Sequence, residues 1–559
     1  MLTLFCFMPV ILAACGTGDA GGGTQKASAD KQVFVSPLEG YPDIETFDPA
    51  LASTLASINA IDMVFTGLVQ VDDALNVKGQ LAQSWSQGSD GFTWTFHLKP
   101  NLKFSDGTAL TAKDVAYSLD RALQPSVRSA VASAYLLIKD ADKLSSGKIK
   151  TIIGDSIQTP DERTVVITAS TKGVYFLSAL TYSTSYVVEK SLIEKYKEKW
   201  TEHLTEGGGA GPFVVQNYTH GRQIVFVPNH NYYGSQPQLQ KVIMPFYTTA
   251  DSGYKAYQAG QIDSTAIPPA NYAEAKTHTS EFHQVALLAL RYYAMNYLVK
   301  PFDNIHIRQA FALALNKDLI VHAVLKDLNL ATNHIVPQGM PGYNANLTGP
   351  DGMKKTSGDA ARAKQLLEQG MQEEGWSSIS QIPPITFTYN AGSKTTENEV
   401  VAVIQMWQSV LGINVRPDPI DVNKLGEEII QTRNNANGLQ FWRYTWFADY
   451  PDAQDWLTLQ FDKDSTQNTV NYGQNHSRNA VQQVTNQQLM EQADVNRNQN
   501  ARLQQYYQAE QQVVNDVAWL PMYQVGSVSL LKPYVHGTAS NALGLTPPDD
   551  WSRIYITEH

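Results

Sequence analysis

Cysteine is almost absent: there are two in 559 residues, Cys6 and Cys15. Both lie in an apolar N-terminal stretch. Cleavage before Cys15 leaves the body of the protein with no thiol for a disulfide, a metal-thiolate cluster or a nucleophile, so its stability must come from packing. Charge is sparse too, at 17% of residues with a net −11. No block of Lys or Arg occurs, which excludes nucleic acid as a partner because phosphate neutralisation needs clustered cations. Beyond residue 15 no apolar run reaches the ~20 residues needed to cross a bilayer. The usual catalytic signatures are missing as well: no Gly-x-Ser-x-Gly elbow, no His-Glu-x-x-His, no Walker loop. The twelve histidines show no metal-ligand spacing. The expectation is a protein without metal or cofactor that is not an enzyme.

Some patterns imitate catalytic ones. Ser145-Ser-Gly-Lys148 fits Ser-x-x-Lys but lacks companion motifs, and Gly207-Gly-Gly-Ala-Gly211 is followed by Pro212, which has no N–H for a phosphate nest. The carboxylates Asp449, Asp452 and Asp455 could be read as a glycosidase pair. Asp452 and Asp455 sit beside Pro451 and read better as residues that cap and charge a following helix.

What is present begins at the N-terminus. Leu2–Ala14 is a short apolar stretch suited to a signal-peptide core, and it ends in Leu12-Ala-Ala-Cys15-Gly16. This resembles the bacterial lipobox, in which the cysteine is acylated and becomes the new first residue; a multiply acylated cysteine anchors stably at ~0.8 kcal/mol per methylene. A Gly/Ala/Thr/Ser/Asp tether over 16–30 follows, as an anchor requires. No Lys or Arg lies between Met1 and Cys15, which points to a start upstream of Met1.

The body reads as mixed α and β without a short repeat. Phe92, Trp94, Phe96 and Leu98 alternate with polar residues as in a half-buried strand, between Ser89-Asp-Gly91 and Ser105-Asp-Gly107 turns. Thr111-Ala-Lys-Asp114 has the form of a capping box ahead of a helix bearing Val115, Leu119, Ala122 and Leu123. Further helices are expected over 307–324 and 360–369. The Gln/Asn-rich segment 466–513 keeps Val481, Val484, Leu489, Leu503, Tyr506 and Tyr507, and is read as folded and helical rather than disordered.

An ordered series of segments then becomes specific. It comprises Phe65-Thr-Gly-Leu-Val69, Leu81-Ala-Gln-Ser-Trp85, Ser89-Asp-Gly-Phe-Thr-Trp-Thr-Phe-His-Leu98, Phe104-Ser-Asp-Gly-Thr108, Leu110-Thr-Ala-Lys-Asp-Val115, Gly209-Ala-Gly-Pro-Phe213, Asn229-His-Asn-Tyr-Tyr233, Ile307-Arg-Gln-Ala-Phe-Ala-Leu-Ala-Leu-Asn316, Leu411-Gly-Ile-Asn-Val415, Phe447-Ala-Asp-Tyr-Pro-Asp452 and Leu520-Pro-Met-Tyr523. The series resembles the oligopeptide-binding proteins, solute-binding family 5 of ABC importers. The resemblance implies an α/β, two-lobe periplasmic-binding-protein-like (type II) fold with a hinge and an additional α+β domain on the first lobe. Carried over, residues 1–14 are the signal peptide and 15–32 the lipidated cysteine and tether. Lobe I takes 33–69, 202–285 and 521–559, the additional domain 70–201, and lobe II 286–520.

The implied function is capture of short peptides between the lobes and delivery to the membrane permease subunits and their cytoplasmic ATPases. The protein would act as a monomer, lipid-anchored on the outer face of the bacterial cytoplasmic membrane. The same fold could instead serve a signalling peptide, a nickel chelate or an oligosaccharide, or act as a surface adhesin or chaperone. By the resemblance, Asp449 receives the peptide α-amine, Trp446 and Arg443 line the pocket, and Arg433 suits the C-terminal carboxylate, with Tyr135, Leu55 and Tyr293 as further contacts and Cys15 as the lipidation site. Two departures stand out. A disulfide of well-known members is replaced by Phe447 and Ala289, where an apolar contact could take its place, and a pocket tryptophan is replaced near Gly426.

Overall fold

The computed structural model describes residues 25–129, 131–132, 137–539 and 541–559. The lipobox with Cys15, and Tyr135, lie outside the described residues. Three sheets organise the chain. The first takes Val33–Val35, Lys241–Tyr247, Gln223–Pro228 and Phe213–Thr219 in that order, with Leu38–Glu39 also paired to Lys241–Tyr247. Helix Leu55–Val64 packs near it, capped by Thr54, whose hydroxyl accepts the Ser57 N–H. Eight of the helix's ten residues are buried, so it is an internal helix rather than an amphipathic surface one.

The second sheet, Ala82–Gln87, Thr93–Leu98, Thr164–Thr168 and Ile157–Asp161, is antiparallel throughout. The alternation read from the sequence is realised: Trp94, Phe96 and Leu98 are buried while His97 is exposed. The capping box forms between Thr111 and Asp114 at the start of helix Ala112–Ala122, and Val115, Leu119 and Ala122 enter the same core.

The third sheet is mixed and has seven strands. Its order is Ser264–Ala266, Trp519–Leu531, Phe282–Met295, Phe441–Phe447, Ile385–Asn390 and Val415–Ile420, with Leu330–Ala331 also on Trp519–Leu531. The expected boundaries at 285/286 and 520/521 therefore fall inside continuous strands. Strand Phe441–Phe447 is antiparallel to Phe282–Met295 and parallel to Ile385–Asn390, so both its edges are paired. Behind it Phe311, Phe387, Trp407 and Phe441 form an aromatic cluster with ring centroids 4.6–6.0 Å apart, a favourable spacing for aromatic pairs.

Two helical expectations changed in detail. The single helix expected over 307–324 is broken into Ile305–Leu313, Lys317–Leu319 and Ile320–Val324. The break comes at Asn316, whose side chain caps the second piece by accepting the Leu319 N–H. The amide-rich segment forms helices Ala480–Val495 and Gln499–Asp516. Its amides are structural: buried Gln487 donates to the Phe461 and Tyr472 carbonyls, both at 2.7 Å, and Asn486 to that of Ala509 at 3.1 Å.

Candidate functional site

A cavity of about 530 Å³ opens between the first and third sheets. Tyr41, the start of helix Leu55–Val64 and the 181–186 segment form one side; Leu287, Leu288 and the 447–451 segment form the other, with 542–548 between them. The size is within the usual range for small-ligand sites.

Asp449 lines this cavity two residues beyond the end of strand Phe441–Phe447. Because the strand is paired along its whole length to Phe282–Met295, and its first residues Phe441 and Trp442 are also paired to Ile385–Asn390 and fully buried, the carboxylate is carried by a rigid element. Its backbone N–H donates to Asp455 Oδ2 at 3.3 Å, and the Trp446 indole N–H donates to the same oxygen at 3.1 Å. Asp455 is completely buried and its second oxygen has no partner. Burial, and then the neighbouring Asp449 charge, push its carboxyl well above the ordinary value. Asp452 is the cap of helix Ala453–Trp456, accepting the Gln454 N–H, and also pairs through both oxygens with buried Arg502.

Opposite, Leu55 is 45% exposed and lies on the cavity wall at the start of its helix. A shift in the pairing of Phe282–Met295 with Trp519–Leu531 falls between Ala286 and Leu290. This bulge frees Leu287 and Leu288 to line the cavity, a common use of bulges at sites. Ala448 N–H donates to the Leu288 carbonyl and Leu288 N–H to that of Ala542, so the wall's backbone is satisfied.

The remaining expected residues lie elsewhere. Arg443 is buried and forms a two-bond ion pair with Glu399, at 3.1 and 2.8 Å. Tyr293 and Tyr523 donate their hydroxyls to the same carboxylate at 2.7 and 2.8 Å. Arg433 is half-buried and donates to the Lys463 carbonyl at 3.4 Å. None of Arg443, Tyr293, Arg433 and Trp446 is on the cavity wall. Phe447 and Ala289 are direct cross-strand partners, in the place where the resemblance implied a disulfide. A Cβ at Gly426 would meet only the Tyr444 hydroxyl, at 3.9 Å, so the position has room for a side chain.

Sequence reasoning did not find Asp62. This aspartate is on the Leu55–Val64 helix, 4% exposed, and on the cavity wall. In the sequence it is one of three polar residues, with Ser57 and Asn59, in a mostly apolar helix, and only packing reveals what it faces. Among the described residues no Lys, Arg or His lines the cavity, and no cluster of His, Cys, Asp and Glu there could hold a metal ion.

The family described as bacterial extracellular solute-binding proteins, family 5, matches residues 76–468. The chain belongs to this family. Relatives cover nearly its full length. The dipeptide-binding protein DppE of Bacillus subtilis is 27% identical over 93% of this chain and 91% of its own. The periplasmic oligopeptide-binding protein OppA of Salmonella typhimurium is 28% identical over 98% and 97%. Among solved structures, the unliganded open form of MppA, a periplasmic murein tripeptide binding protein, superposes with a TM-score of 0.78 at 25% identity, covering 96% of this chain and 99% of that one. The two-lobe type II fold of this solute-binding protein follows.

Proposed function

We propose that this chain is the capture component of an ABC importer, and that it takes up short peptides in the interlobe cavity with their α-amine on Asp449. In this reading 33–69, 202–285 and 521–559 form lobe I, 70–201 the additional domain and 286–520 lobe II. The strands Phe282–Met295 and Trp519–Leu531, which cross the lobe boundaries, serve as the hinge. Closure is stabilised by ligand contacts made from both lobes at once. Acylated Cys15 tethers the protein to the outer face of the cytoplasmic membrane, where a monomer delivers peptide to the permease.

The observation that carries the reading is the placement of Asp449. A carboxylate just beyond a strand paired along its whole length to Phe282–Met295, beside buried Asp455 and lining a mostly apolar cavity, is suited to an ammonium withdrawn from water. Relatives named for dipeptides and oligopeptides support the class of ligand. Isothermal titration with short peptides tests it: free N-termini should bind and N-acetylation should remove most of the affinity. Asp449→Ala should weaken binding by about 2 kcal/mol or more, the usual cost of leaving a buried charge unpaired. Equal affinity for free and acetylated peptides would sink the role of Asp449.

A further inference from the structure

The cavity has a second carboxyl group, and its surroundings say what it would bind. Asp62 belongs to the last turn of helix Leu55–Val64. A negative group there faces the helix's own partial negative end, an unfavourable setting that a cation would relieve. The Tyr186 hydroxyl donates to one of its oxygens at 3.0 Å, and the other has no hydrogen-bond partner among the described residues. Burial alone pushes its carboxyl up to about 8, with only the Tyr186 bond opposing.

No charged neighbour neutralises it. Segment 183–185 carries no titratable side chain, and strand Phe213–Thr219 carries Tyr218, which is bonded to Asp43. The turn Pro548–Arg553 carries Asp549, held by Tyr232 and Tyr233, and the pair Asp550–Arg553, with Arg553 also bridged to Asp73. Across the cavity stands Asp449, another acid. Two carboxyls and no base therefore line the cavity, one from each side.

We infer that Asp62 is a specificity-determining residue, pairing with a second cationic group of the ligand, the side chain of a lysine- or arginine-containing peptide. This rests on the proposed peptide reading, with Asp449 holding the α-amine. In the empty cavity Asp62 holds a proton. A cationic side chain displaces that proton, and the carboxylate and cation remain paired away from water. Neutral peptides leave Asp62 protonated and gain nothing from it. Preference for the cation should therefore rise with pH up to about 8, because ionising Asp62 becomes easier.

The test uses alanine pentapeptides carrying a single lysine at each position in turn, against the same peptides with norleucine. Titrated into the full mature protein at about pH 8, the best lysine peptide should bind at least about tenfold tighter than its norleucine partner. In buffers of different ionisation enthalpy, only the lysine peptide should release about one proton on binding near pH 7. Asp62→Asn, which keeps shape and the Tyr186 contact, should abolish the preference and the proton release. Asp449→Ala should weaken both peptides alike. Equal lysine and norleucine affinity, or a preference that survives in D62N, overturns the role of Asp62. If norleucine peptides still lose affinity on N-acetylation in that case, the peptide reading stands and only this inference falls. If no peptide binds, both fall.

Discussion

At the scale of single residues, the same side-chain types do opposite things according to what packs around them. Glu399 is fully buried, yet the Arg443 guanidinium and two tyrosine hydroxyls more than offset its burial and hold its carboxyl below the ordinary value. Its contribution to stability is complete above the ordinary value of 4.5 and is lost as pH falls through the lower folded value. Asp455 has two donors and no cation, so burial wins and its carboxyl is pushed up. Arg443→Met should therefore act on the fold: chemical denaturation should show a loss of about 3–5 kcal/mol, the usual result of orphaning a buried charge. Adding Glu399→Met should recover much of that loss. If R443M keeps full stability but loses peptide affinity, the residue is a ligand contact after all. Sequence alone marked Arg443 by motif, but its partner Glu399 is 44 residues away and on another element.

At the scale of elements, the glycine run 207–211 shows why a pattern can be right in position and different in meaning. Gly211 N–H donates to the Val64 carbonyl at 2.8 Å, at the end of the helix that bears Leu55 and Asp62. A Cβ on Gly209 would lie 2.1 Å from that same carbonyl oxygen, and one on Gly211 2.6 Å from the Val64 carbonyl carbon. The glycines permit backbone-to-backbone approach, which fixes the helix against strand Phe213–Thr219 and so sets one wall of the cleft. Gly209→Ala forces the two apart. It should cost about 1–3 kcal/mol by thermal or chemical unfolding and weaken peptide binding beyond what the stability loss explains. Unchanged unfolding and binding would show that the helix can shift freely. The capping box at Thr111 and the strand at Trp94 were legible because each is settled within a few residues. The break at Asn316 was not, since an apolar stripe runs through it and one side-chain cap decided the matter.

At the scale of the whole molecule, several buried carboxyls act together. Burial pushes Asp62 and Glu510 up to about 8 and Asp494 up to about 7. Between their ordinary and raised values the folded state holds protons the unfolded chain has released, so stability grows as pH falls through that window. His334, held low by burial, opposes this with one proton below its ordinary value of 6.5. Lys317, lowered to about 7, changes stability only above that pH, where it favours the more alkaline side. The ligand-free protein should thus melt higher at about pH 5.5 than at about pH 7, with a gain on the order of 1–3 kcal/mol. A flat or inverted profile in scanning calorimetry would mean that these groups are hydrated and charged in the fold. D62N should flatten the profile in proportion, which links the stability measurement to the binding site.

By itself the sequence determined the family, the mixed α/β class, the absence of thiol chemistry in the body and the motif that contains Asp449. All of these rest on local order along the chain: motif sequence, period and capping are complete within short windows. Only the tertiary structure decided which polar residues face the cleft. Helix Leu55–Val64 is buried nearly all round, so the short polar face of Asn59 and Asp62 does not tell in sequence what covers it, and Arg443 is a buried residue of a strand in the middle of its sheet. Facing is set by what packs on each side, and here those neighbours come from segments hundreds of residues apart.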